Sequence, residues 1–331
     1  MVMPYEPPFT LTKRATSLII SITEQVSRLS VRGVERVTPR LRKVNRIRSV
    51  QSSLRIENNS LSVDEVAAVL EGKSVVGPSR EILEVRNALA AYDMMGDVNP
   101  ESVDDLLSVH KVMMTGLIDS PGEFRTHGEG LFDAEGNCVH VAPPHQLVPG
   151  KMNDLFEWLR DSDWPELVKS CVFHYEFEFI HPFKDGNGRV GRYWQTLILS
   201  CWNSLFRWVP VESHVAMYQN EYYEVISRSN TEEDCTAFLE LMLELILKSV
   251  EMFAGEVSRD QTSGDVYLSP TESAVFSAIK EGSFTSAAQA ANMLNLSPST
   301  VSRAVTSLKK KGLIAREGAF KNGRWVVRRS K

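Results

Sequence analysis

Apolar residues recur at helical spacing along most of the chain. The runs predict helices over roughly 12–30, 79–95, 102–115, 151–161, 166–180, 189–205, 215–228 and 232–254. Ahead of the first, Pro4-Tyr5-Glu6-Pro7-Pro8-Phe9-Thr10 reads as an extended arm. Residues 120–148 break the pattern: they are rich in Pro, Gly and His, and Val139-His140-Val141 predicts a strand. The basic run 32–48, with seven Lys/Arg, reads as a solvated face or loop. Residues 258–265 are polar and aperiodic, which predicts a linker. Beyond it, Ser269-Pro270-Thr271-Glu272 opens a helix with proline at its first position, running through Val275 and Ile279 to Gly282. A second helix is expected over 286–294. A third opens at Ser297-Pro298-Ser299-Thr300, is apolar at Val301, Val305 and Leu308, and stops at Gly312. The stretches from Leu313 to Arg316 and from Gly323 to Val327 then predict a two-stranded wing. The fold class is mainly α, with a small β-hairpin and a C-terminal winged helix-turn-helix.

Charge divides the chain in the same place. Residues 266–331 carry eleven Lys/Arg against three Glu, a net of +8, which leaves −13 for the remainder of a chain whose formal charge is −5. Two bodies with different partners are expected. The four cysteines (Cys138, Cys171, Cys201, Cys235) have no Cys-x-x-Cys spacing, so neither a zinc ribbon nor a disulfide framework is indicated. No apolar run approaches the ~20 residues of a membrane helix, and Lys13-Arg14 before Leu18-Ile19-Ile20 reads as an amphipathic helix rather than a signal peptide. A cytoplasmic protein without membrane contact is the expectation.

Chemistry concentrates in residues 181–192, His-Pro-Phe-Lys-Asp-Gly-Asn-Gly-Arg-Val-Gly-Arg, between two apolar helical runs. Pro182 excludes the right-handed helical region at His181, so the preceding helix should stop there and present the imidazole at its end. Gly186 and Gly188 permit a tight turn whose N–H groups form an anion nest, reinforced by the helix that begins near Gly188. Arg189 and Arg192 are three apart and share a helix face suited to successive phosphates. Asp185 is a hard oxygen ligand for Mg²⁺, and His181 remains free to take a proton from a hydroxyl. These residues point to Mg²⁺-dependent transfer from a nucleotide to a hydroxyl.

The stretch matches the Fic motif His-x-Phe-x-(Asp/Glu)-Gly-Asn-Gly-Arg-x-x-Arg at every defining position, and the chain resembles the Fic family. The approach 174–180, His-Tyr-Glu-Phe-Glu-Phe-Ile, is similar to the family's as well. The resemblance implies a protein adenylyltransferase moving AMP from ATP to a Ser, Thr or Tyr hydroxyl of a target protein, self-modification included. It implies that His181 is the base, that Asp185 holds Mg²⁺, that Asn187 and nearby amides hold the α/β-phosphates, and that Arg189 and Arg192 hold the β/γ-phosphates. Gly188 matches the AMP-transferring branch, whose kinase-like relatives have Lys there. The implied nucleotide-binding set is Glu57, Asp185, Gly186, Asn187, Gly188, Arg189, Val190, Gly191, Arg192 and Tyr223. Tyr222-Tyr223 falls where relatives contact the adenine. Residues 120–148 correspond to the flap that clamps the target backbone, and many relatives form dimers, which implies a homodimer.

Ser53-x-x-x-Glu57-Asn58 fits the family's inhibitory pattern (Ser/Thr)-x-x-x-Glu-(Gly/Asn), in which the glutamate pairs with the second motif arginine, here Arg192. One guanidinium cannot serve a carboxylate and a phosphate in the same fork. The expected division is 1–100, an N-terminal helical region with inhibition near 52–58; 101–255, the catalytic core; 256–265, linker; and 266–331, winged helix.

The sequence also admits two rival readings. His174, Glu178 and His181, at i, i+4 and i+7, share a helical face and could ligate a transition metal, but His-Glu-x-x-His is absent. His127, His140 and His145 show no ligand spacing. The winged helix is expected to place Ser299, Thr300, Ser302 and Arg303 in a DNA major groove, with Lys309, Lys310, Lys311, Arg328 and Arg329 on phosphates. A DNA-binding regulator with a catalytically minor upstream domain is therefore the alternative function.

Overall fold

The computed structural model describes residues 5–31, 37–128, 130–132, 138–262, 270–280, 287–294, 296–311, 313–317 and 324–327. The chain divides into two units, Met1–Val257 and Ser258–Lys331.

The first unit is helical: α1 (Lys13–Val31), α2 (Pro39–Ile56), α3 (Val63–Leu70), α4 (Ser79–Met94), α5 (Val103–Met114), α6 (Val148–Asp161), α7 (Glu166–Ile180), α8 (Asn187–Trp202), α9 (Val211–Met217), α10 (Gln219–Glu232) and α11 (Thr236–Thr262). Between α5 and α6, β1 (Gly130–Phe132) and β2 (Cys138–Val141) form an antiparallel hairpin with an irregularity between Leu131 and Phe132. At the centre lies the α7–α8 pair. Phe173, Phe177, Tyr193 and Trp194 are fully buried, as expected of helices that are apolar around most of their circumference.

Three helix expectations need correction. The basic run was expected to be a face or loop, yet from Pro39 onward it is α2, started by Thr38, whose side chain accepts from the Leu41 N–H, and by Pro39 in the first turn. Its buried set mixes Asn45, Ser49, Ser52 and Ser53 with Leu41, Ile47, Val50, Leu54 and Ile56, which hides the apolar stripe from a periodicity search. Its cations are spent locally: Lys43 on Glu71, Arg46 on Asp93, Arg48 on Glu256. The helix expected over 215–228 is two helices, α9 and α10, hinged at Tyr218. Residues 256–262, expected as linker, continue α11. The buried stripe Val250, Phe253, Val257 carries that helix forward, past Gly255. Among the described residues no helix is long and apolar enough to cross a membrane. Cys171, Cys201 and Cys235 are free thiols.

The second unit contains α12 (Pro270–Lys280), α13 (Ala287–Leu294) and α14 (Pro298–Lys310), with β3 (Ile314–Glu317) and β4 (Arg324–Val327) paired antiparallel. Val275, Ile279, Ala290, Val301, Leu308 and Ile314 form its core. This is the expected winged helix. Gly282, Gly312, Gly323, Arg328 and Arg329 lie outside the described residues. Ser297 caps α14, and Ser299, Ser302 and Arg303 are exposed on it. Lys311 departs from its expected phosphate role: its ammonium lies 2.8 Å from both carboxylate oxygens of Glu272.

Candidate active site

The loop between α7 and α8 is built by backbone demands. His181 closes α7 in the left-handed region, φ 49° and ψ 62°. Pro182 was expected to exclude the right-handed helical region at His181, and the αL conformation does so while turning the chain sharply. A buried arginine from another part of the chain holds this strained turn. Arg125 donates from Nε to the His181 carbonyl (2.8 Å), from its terminal nitrogens to the Ile180 (3.3 Å), Pro143 (2.5 Å) and His127 (2.9 Å) carbonyls, and from its backbone N–H to the Pro182 carbonyl (2.9 Å). It thereby satisfies carbonyls that the end of α7 leaves open.

On the other side of the turn, Asn187 donates to the Phe183 carbonyl (2.8 Å) and accepts the Phe183 N–H (2.9 Å). Its amide thus braces the loop, with one N–H of the side chain spent on Phe183. Phe183 stacks on His110, centroids 3.6 Å apart and rings 4° from parallel. His110 accepts the Gly122 N–H at Nδ1 (2.8 Å), which assigns the proton to Nε2 and lets it donate to the Asp185 carbonyl (3.0 Å). Burial pulls its pKa down to about 4, so it stays neutral in this role.

Gly186 then opens α8 at φ +88°, where a Cβ would fall 2.7 Å from the Met114 sulfur. No side chain caps the helix, and Val190 N–H bonds back to the Gly186 carbonyl. The N–H groups of the first turn therefore point out of the loop with the positive end of the helix dipole. Asp185, Arg189 and Arg192 surround this end. Asp185 Oδ1 accepts from the Gly186 N–H (2.6 Å) and from Arg189 (2.8 Å), while Oδ2 faces Arg80 at 3.4 Å. Val190 and Gly191 fall outside the group: Val190 is fully buried, and Gly191 packs against Glu178, His174 and Phe177.

Arg192, 2% exposed, reaches across to the end of α2. It donates to Ser53 Oγ (3.2 Å), to the Ser53 carbonyl (3.0 Å) and to Glu57 Oε1 (2.7 Å). A cation thus caps the C-terminus of α2 while pairing with the carboxylate that follows it. Burial opposes its charge, but Glu57 together with Tyr222 and Tyr223 raises its pKa above the ordinary guanidinium value. The pair needs Gly188: a Cβ there would meet the Glu57 carboxylate and sit 2.8 Å from an Arg192 nitrogen. The helix that carries Glu57 is itself anchored. Buried Glu212 accepts hydroxyls from Ser49 on α2 (2.9 Å), Tyr92 on α4 (2.7 Å) and Thr196 on α8 (3.1 Å).

The tyrosine pair divides. Tyr222 is buried with its hydroxyl on His174 Nε2 (3.1 Å), whereas Tyr223 is 45% exposed. His174 also donates to Gln195 (2.9 Å), and burial lowers its pKa to about 3. It is a neutral core histidine. With His181 turned beyond the helix end, the transition-metal reading fails, and among the described residues no group of three or more His, Cys, Asp and Glu is arranged to hold a metal ion.

Glu178 is buried beside this network, and burial pushes its pKa up to about 7 from an ordinary 4.5, with Arg192 opposing and Glu57 adding to the rise. An acid raised on folding stabilises below its unfolded pKa, and that contribution is lost as pH rises through the folded value. Glu178→Gln should therefore gain stability relative to the parent between pH 5 and pH 8, by ~3 kcal/mol at most. Thermal unfolding of both proteins at the two pH values checks this. The effects of His110 and His174 are common to both proteins and cancel, and an unchanged difference between them would show Glu178 ionised throughout.

Sequence reasoning brought together His181, Asp185, Arg189, Arg192 and Glu57, and missed Arg125, His110 and Arg80. Those three have no motif of their own, and only their long-range partners reveal them. The Fic/DOC family profile matches residues 100–199, and the MarR family profile matches residues 268–324. A probable protein adenylyltransferase of Aquifex aeolicus is 32% identical over 147 residues, 42% of this chain and 43% of that protein. A protein adenylyltransferase of Caenorhabditis elegans is 27% identical over 244 residues, 68% of this chain and 45% of its own. The chain thus spans less than half the length of these curated relatives. The crystal structure of a Fic family protein from Desulfovibrio desulfuricans superposes with a TM-score of 0.81 at 39% identity, covering 99% of both chains. With that likeness covering nearly the whole of both chains, the chain belongs to the Fic family.

Proposed function

We propose that the protein is an adenylyltransferase that moves AMP from ATP to a Ser, Thr or Tyr hydroxyl of a protein, itself included, and that Glu57 restrains it. The observation that carries this reading is the convergence of His181, Asp185, Arg189 and Arg192 on a helix N-terminus that no side chain caps. Such an end is suited to a phosphate chain. Two buried guanidiniums add the charge complement for the β- and γ-phosphates, and the exposed ring of Tyr223 is taken as the adenine contact. Asp185 also fits a hard cation, since its Oδ2 is met only at 3.4 Å. Mg²⁺ bound there would neutralise phosphate charge and orient the α-phosphate.

His181 takes the proton of the incoming hydroxyl, whose oxygen forms the new bond to the α-phosphorus. The bond from that phosphorus to the β-bridging oxygen breaks, and pyrophosphate leaves with the electron pair. The α8 N–H groups and Arg189 are already oriented toward the charge that builds up, so no reorganisation is needed at that moment. Glu57 opposes this by holding the arginine that the γ-phosphate requires. ATP bound in that state is expected to sit in an unproductive pose.

Labelling a lysate or the protein itself with ATP carrying the label at the α- or the γ-phosphorus tests the reaction. Stable product is expected from the α-label alone. Transfer of the γ-label would make the protein a kinase.

The exposed face of α14 supports a second, compatible activity, duplex DNA binding by the winged helix. Ser299, Ser302, Arg303, Thr306, Lys309 and Lys310 are exposed there, a polar and cationic row at major-groove spacing. Retardation of DNA by the full chain should weaken steeply with added salt. Arg303→Ala should lower sequence preference, while Lys310→Ala should weaken binding to all sequences alike. No retardation at low salt would assign the wing to protein docking.

A further inference from the structure

Arg80 stands outside the motif and outside the inhibitory segment, yet it reaches the same carboxylate as Arg189. It is in the first turn of α4, where the positive end of the helix dipole disfavours a cation. Nothing in the packing of α4 explains it, since the side chain is 59% exposed. Its contacts are all long: Asp185 Oδ2 at 3.4 Å, the Leu117 carbonyl at 3.4 Å and Glu84 Oε1 at 3.6 Å. By contrast Arg189 is 6% exposed and holds Asp185 Oδ1 at 2.8 Å. One oxygen of Asp185 is therefore tightly held, and the other is loosely covered by a group able to leave.

Arg80, Arg189 and Arg192 face Asp185, Glu57 and Glu84, so the resting cluster is balanced. Glu84 cannot follow a moving partner, because its other oxygen accepts from Asn59 Nδ2 at 2.9 Å. A divalent cation on Asp185 Oδ2 repels Arg80, and a triphosphate brings more negative charge than two arginines balance. The nearest new anion for the displaced guanidinium is the outer part of that phosphate chain.

We propose that Arg80 is a third phosphate-binding arginine, which covers Asp185 at rest and grips the β- and γ-phosphates of the bound nucleotide, making the site selective for a nucleoside triphosphate over a monophosphate. This rests on the adenylyltransferase reading for the identity of the ligand. It assigns to a residue of α4 part of the task of holding the leaving pyrophosphate.

The test is equilibrium calorimetry with Mg²⁺, using the full chain carrying Glu57→Gly and His181→Ala so that the nucleotide is neither blocked nor consumed. ATP and AMP are titrated into this parent and into its Arg80→Ala and Arg80→Lys derivatives. Arg80→Ala should weaken ATP roughly tenfold, the usual worth of a charge-assisted hydrogen bond, and leave AMP within about twofold. Arg80→Lys should recover part of the loss, since an ammonium still meets phosphate but cannot do so bidentately. Equal weakening of ATP and AMP, or no change in either, overturns the proposal while leaving the adenylyltransferase reading in place. A parent that binds no ATP overturns both.

Discussion

Replacing His181 by alanine in a Glu57→Gly background should lower AMP transfer by roughly 10²–10⁴-fold, the span associated with loss of a general base. ATP affinity should stay close to that of the parent. The two effects separate because the imidazole and the phosphate-binding groups lie on opposite sides of one turn. His181 ends α7, while the anion site is the start of α8 with Arg189 and Arg192. The turn itself depends little on the imidazole. Its αL backbone is held through carbonyls by Arg125 and through the Phe183 peptide by Asn187. Labelling rates and calorimetry on the same preparations check the pair of outcomes. Transfer at an unchanged rate would remove His181 from the chemistry.

Glu57→Gly alone should raise self-labelling with AMP by roughly 10²-fold, the worth of one electrostatic contact made available in the transition state. The physical basis is competition for a single fork. Arg192 presents the same terminal nitrogen to Glu57 Oε1 (2.7 Å) and to the Ser53 carbonyl (3.0 Å), with Nε on Ser53 Oγ. Removing the carboxylate leaves the Ser53 bonds in place, so the guanidinium keeps its position and gains the freedom to meet a phosphate. The substitution should also be tolerated by the fold, because Glu57 follows the end of α2 and its side chain is 33% exposed. Adding Arg192→Ala should cancel the gain. A Glu57→Gly protein that folds, binds ATP and labels no faster than its parent would move the restraint elsewhere.

The residues legible in the sequence are those whose spacing is itself the chemistry. Residues 181–192 fold as one local unit, so a motif can specify a helix end, a nest and two arginines on one face. The Glu57–Arg192 contact spans 135 positions and was reached only through the family's inhibitory pattern. Arg125 and His110 were not legible because their work is done through the backbone carbonyls of distant residues, which leave no sequence signature. The phosphate role of Asn187 came from the family resemblance, and the bonds that both ends of its amide make to Phe183 leave no signature in the sequence. The helix α2 was hidden for a related reason: its serines are buried against Glu212, Ser213 and Arg192, so polarity there does not report exposure. Lys311 shows the reverse, a surface-type residue neutralised by Glu272.

Intact-mass measurement reads AMP transfer by the 181–192 loop and its restraint by Glu57 in one experiment. The parent, the Glu57→Gly protein and the Glu57→Gly/His181→Ala protein are each incubated with ATP and Mg²⁺. A gain of one or more adenylyl groups is expected on the Glu57→Gly protein, little on the parent and none on the double variant. A gain of phosphoryl mass, or an adenylyl gain that persists without His181, would contradict the proposed function.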